Sequence, residues 1–107
     1  MFTASERVEH RQLGDSLFAQ VREVVEHSDG FTLVFELEAT IDEGIQRWLA
    51  KEKLCCPFFS FETTREQAPP SIKLHISGPA GSKLILQGEF DARGLFARVP
   101  VLATSHR

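Results

Sequence analysis

From Phe31 onward the side chains alternate: Phe31, Leu33, Phe35 and Leu37 fall on one face, and Thr32, Glu36 and Glu38 on the other, with Val34 the exception. A period of two marks a half-buried strand, here over 31–38. The run before it, 18–27, is rich in Val and predicts a partner strand. Asp29-Gly30 between the two is the strongest short hairpin signal, because a type I′ turn needs positive φ at both central residues. A second alternating pair follows at 58–65 and 71–77, with Ile72, Leu74 and Ile76 inward and Lys73 and His75 outward. The "EQAPPS" stretch between them reads as a loop.

Period 3.6 takes over elsewhere. Thr3 stands three residues before Glu6, the spacing of a capping box, and predicts a helix over about 4–16 weakened near Gly14. Thr40 and Glu43 repeat that spacing, and the helix after them carries Ile41, Ile45, Trp48, Leu49 and Glu52 on one stripe. Pro57 stops it, so that Cys55 ends the helix and Cys56 starts the next strand. Pro79 predicts a last helix over 79–88, with a strand through "KLILQ" as the competing reading. The fold expected is α+β: a helix, then ββα twice, giving a two-layer sandwich of a four-stranded, mainly antiparallel sheet with helices on one face. Residues 1–90 form one domain in this reading, and 91–107 a tail or arm. The open face carries Thr32, Glu36, Ser60, Glu62, Lys73 and His75 and is expected to be wet.

Composition changes this picture little. The chain has 107 residues, enough for one modest core without staples. Nine Phe beside one Trp and no Tyr point to a dry aromatic core. A net charge of −3 with no basic cluster argues against a nucleic-acid surface. No apolar run suits a bilayer span and the N-terminus lacks a signal-peptide pattern, so the expected compartment is the cytoplasm. Thiols are kept reduced there.

The candidate chemistry lies in "LAKEKLCCPFFSFE", which holds both cysteines. As packing residues, Cys55 and Cys56 would be small hydrophobes at a helix–strand joint. As a disulfide they are poorly placed, since neighbouring Cα atoms are about 3.8 Å apart and disulfides need roughly 4.4 Å or more. As ligands, two thiolates suit a soft ion such as Hg(II), Cu(I), As(III) or Zn(II), although they supply half of a structural zinc site. Glu52, one turn earlier, is a third ligand or a proton acceptor in that reading. The helix C-terminus disfavours a thiolate, while Lys51 and Lys53 favour one. His10, His27, His75 and His106 show no metal-site spacing, and no nucleophile elbow or phosphate loop occurs, so the sequence names no catalytic residues.

The run Glu52-x-x-Cys55-Cys56-Pro57-Phe58 resembles a group of small bacterial domains with a Glu-x-x-Cys-Cys-Pro/Ala-Phe motif. Glu6, Arg7 and Arg11 in the first helix, the Asp29-Gly30 hairpin and "SGPAG" extend the resemblance over about 3–88. Such domains are similar to C-terminal parts of some MerR-type regulators, whose relatives sense metals and drugs. The resemblance implies a soft-metal or thiol-sensing role for Glu52, Cys55 and Cys56. The chain has no room for those regulators' winged helix-turn-helix, so DNA binding does not carry over. The functional expectation is a binding module for a soft metal or thiol-reactive ligand. Its alternative is an interaction or dimerisation domain, a homodimer among the options, in which the cysteines only pack.

Overall fold

The computed structural model describes residues 3–103; His106 and the last residues of the expected tail lie outside them. The elements run α1 (Ala4–Phe18), β1 (Glu23–Glu26), β2 (Gly30–Glu36), α2 (Ala39–Cys55), β3 (Ser60–Gln67), β4 (Pro70–Ser77), α3 (Ser82–Ala92), α4 (Leu95–Arg98) and β5 (Val101–Ala103). The class is α+β, as expected. Among the described residues the sheet has five strands rather than four, in the order β3-β4-β2-β1-β5. It is mixed, because β5 joins β1 in parallel while every other pair is antiparallel. Among the described residues no helix is long and apolar enough to cross a membrane.

Local chemistry explains where elements start. The Thr3 hydroxyl accepts from the Glu6 amide, and the Thr3 amide donates to Glu6 Oε1 at 2.8 Å, closing the box that starts α1. That backbone donor also holds the Glu6 carboxyl below its ordinary pKa. Thr3→Ala is expected to cost about 1 kcal/mol, read as a lower urea midpoint at unchanged slope. The second box does not form: Glu38 is the N-cap of α2 and makes no side-chain cap, so Thr40 lies already inside the helix. α1 runs through Gly14 to Phe18, because Gly14, Leu17 and Phe18 are its buried face and packing outweighs propensity. α3 starts at Ser82, after Gly81 at φ 94°, and is a helix rather than a strand.

The hairpin is where the sequence placed it, with a different turn. Ser28 and Asp29 form the link, His27 N–H donates to the Gly30 carbonyl, and Gly30 does not have positive φ. Gly30 is instead needed for close approach, since a Cβ there would lie 1.9 Å from the Ile76 carbonyl oxygen. The "EQAPPS" stretch is mostly strand, with β3 and β4 in register from Ser60↔Ser77 to Gln67↔Pro70 and a cis Ala68-Pro69 bond at the turn.

One core lies between sheet and helices. Phe31, Leu33, Phe35, Ile72, Leu74 and Ile76 from the strands meet Leu17 and Phe18 of α1, Ile45 and Trp48 of α2, and Leu86 and Phe90 of α3. Each such side chain contributes roughly 1.5–3 kcal/mol by leaving water. The segment from Asp91 completes α3 and then packs Leu95, fully buried, before β5 pairs with β1. On the opposite face Glu36, Ser60 and Glu62 are exposed, as expected. Thr32 is not: it is buried, with Oγ1 2.7 Å from His27 Nε2 and 3.0 Å from His75 Nδ1.

Candidate functional site

The buried stripe of α2 runs through Trp48 to Glu52 and ends at Cys56, the C-cap, whose amide donates to the Glu52 carbonyl at 2.8 Å. Pro57 cannot continue the helix. The chain turns, the Phe59 amide donates to the Cys56 carbonyl, and β3 starts only at Ser60, so Cys56 is not the first strand residue. This turn stacks Phe58 and Phe59 with ring centroids 4.6 Å apart and sets Phe59 against Phe61.

Between this turn, α1 and α3 lies a cavity of about 210 Å³. Its walls are largely aromatic: Phe18, Trp48, Phe58, Phe59, Phe61 and Phe90. Cys56, Glu52, Glu89 and Arg93 add the polar atoms. Arg93 is engaged with Asp15 at 3.2 Å and Glu89 at 3.3 Å, and its guanidinium lies 4.7 Å from the centre of the Phe18 ring. Glu52 Oε2 is 2.6 Å from His10 Nε2, with both side chains largely buried, and the His10 ring stacks near Trp48. An ionised carboxylate can only accept, so Nε2 carries the proton of that bond.

The structure therefore brings Glu52 and Cys56 to one cavity. Cys55 is exposed and is not among the cavity's walls, although it precedes Cys56 directly. Neither cysteine belongs to the hydrophobic core. Burial pushes the Cys56 thiol above its ordinary pKa, and the negative charges of Glu52, Cys55 and Glu89 push the same way. Lys51 reaches Glu6 at 3.8 Å and Lys53 is exposed, so neither lysine is among the groups that shift Cys56. Cys56 is a protonated thiol at neutral pH, not an activated nucleophile.

Among the described residues no group of three or more His, Cys, Asp and Glu side chains is gathered for a metal ion. A closed four-ligand zinc centre does not fit these residues. One thiol beside one carboxylate fits an ion that accepts few ligands.

Sequence reasoning missed His10 and the contributions of α1 and α3. A signal for the first was present: His10, Leu13, Gly14, Leu17 and Phe18 fall at i, i+3, i+4, i+7 and i+8, the spacing of one helix face. Comparisons with models of protein families, with curated proteins and with solved structures found no match to this chain.

Proposed function

We propose that the chain is a binding module for a soft metal ion or a thiol-reactive compound, held at Cys56 with Glu52 beside it. The observation that carries this reading is that a thiol and a carboxylate line the same aromatic-walled cavity. The aromatic walls suit an apolar substituent, and the thiol supplies the soft donor. His10 holds the Glu52 carboxylate in place from α1. Cys55, outside the cavity, serves as an auxiliary thiol. The motif from Glu52 to Phe58 is also the basis of the resemblance to the C-terminal parts of MerR-type regulators, and a sensing role fits both.

Thiol counting on the native protein with a chromogenic disulfide tests the reading. Cys55 is expected to react quickly and Cys56 slowly. The slow phase should accelerate by up to about tenfold as the pH rises from about 7 to 8, because a thiol pKa raised by burial leaves the thiolate a minor species there. One equivalent of Hg(II) or Cu(I) should remove the slow phase before the fast one. If the ion protects Cys55 alone, or neither thiol, the cavity is not the binding site.

A further inference from the structure

We propose that β3 is a docking edge for a second copy of this chain, which adds its own β3 antiparallel across a two-fold axis at Thr63 and joins two sheets into one. The two edges of the sheet differ. β5 is three residues long and follows Pro100, both devices that blunt an edge. β3 is eight residues long, contains no proline and keeps an unbroken register with β4. Among the described residues its outer side has no strand partner. Its one cation, Arg65, is neutralised within the chain by Asp42 of α2, with Nε 2.7 Å from Oδ2.

Geometry and charge select the register. A two-fold that pairs like edges antiparallel stands normal to the sheet, and opposed residues point to the same side. Phe61, Thr63 and Arg65 lie on the helix side, and Glu62, Thr64 and Glu66 on the open side, as the Phe61–Trp48 contact and the Lys73–Glu66 pair show. Each residue must therefore face one from its own set. An axis at Glu62, Arg65 or Glu66 sets a charge against itself, and an axis at Thr64 opposes Glu62 to Glu66 twice. An axis at Phe61 pairs only the start of the strand. The axis at Thr63 opposes no like charges. It pairs Thr63 with the partner's Thr63, Glu62 with the partner's Thr64, and Phe61 with the partner's Arg65, whose charge is already met by Asp42. Phe61 is also a wall of the Cys56 cavity, so the second copy would stand at the flank of that site.

The test is sedimentation of the full chain over a range of concentrations, with far-UV circular dichroism confirming that each variant folds. The wild type is expected to form a dimer. Thr63→Lys and Thr63→Glu should each weaken self-association at least tenfold, because each sets like charges face to face. An equal mixture of the two should restore the dimer, because the axis then opposes Lys to Glu. A wild type that stays monomeric, folded single variants that dimerise as well as the wild type, or a mixture that stays monomeric would each overturn the proposal.

Discussion

Gly30→Ala is expected to cost more than about 4 kcal/mol and to leave much of the chain unfolded at room temperature. The added methyl would lie 1.9 Å from the Ile76 carbonyl oxygen and 2.8 Å from the Ser77 Cα. Both obstacles are backbone, so no rotamer change relieves them. They belong to β4, which pairs with β2 at the centre of the sheet, where Gly30 sits opposite Ser77. Ordinary overpacking costs about 1–3 kcal/mol because side chains give way, and here the ladder itself would have to open. Thermal denaturation followed by circular dichroism measures the effect. A melting temperature near that of the wild type would mean that β2 can shift at this end without losing its pairing.

Cys56→Ser is expected to lower the affinity for Hg(II) on the order of a thousandfold, and Cys55→Ser by less than about tenfold. A hydroxyl replaces the thiol with little change of shape but is a hard donor, so the cavity remains while the soft contact is lost. Cys55 contributes no wall to that cavity, and its loss leaves both Cys56 and Glu52 in place. Competition titration against a chelator of known strength separates the two variants. Equal losses would mean that the adjacent thiols chelate as a pair outside the cavity.

The strands and helices were legible where periodicity is long and local. The alternation from Phe31 and the stripe from Ile41 to Leu49 both describe the observed core faces. Capping signals were legible only in part, because one spacing serves two outcomes: Thr3 and Glu6 close a box, while Thr40 stands inside a helix already begun. The Asp29-Gly30 dipeptide located the hairpin, but Gly30 is there for lack of a Cβ rather than for positive φ. β5 was beyond local reading. Three residues carry no period, and the pairing of Val101 with Val24 is a contact across most of the chain. The site divides in the same way. Glu52 and Cys56 share a helical turn, whereas Phe18, Glu89 and Arg93 reach the cavity, and His10 reaches Glu52, only through tertiary packing of α1 and α3 against α2.

That parallel pairing of β5 also sets an order of events. Residues emerge from the N-terminal side first as a chain is made, and the partner of β1 on one side is β2, close by through a short hairpin. On its other side the Val24 amide donates to the Pro100 carbonyl, which emerges long after. Until residues 95–103 are made, the far side of β1 has no strand to pair with, its outward amides and carbonyls are left to water, and Leu95 cannot fill its place in the core. The strand that covers β1 is a clasp of three residues, and until it is made β1 offers an open edge to other chains.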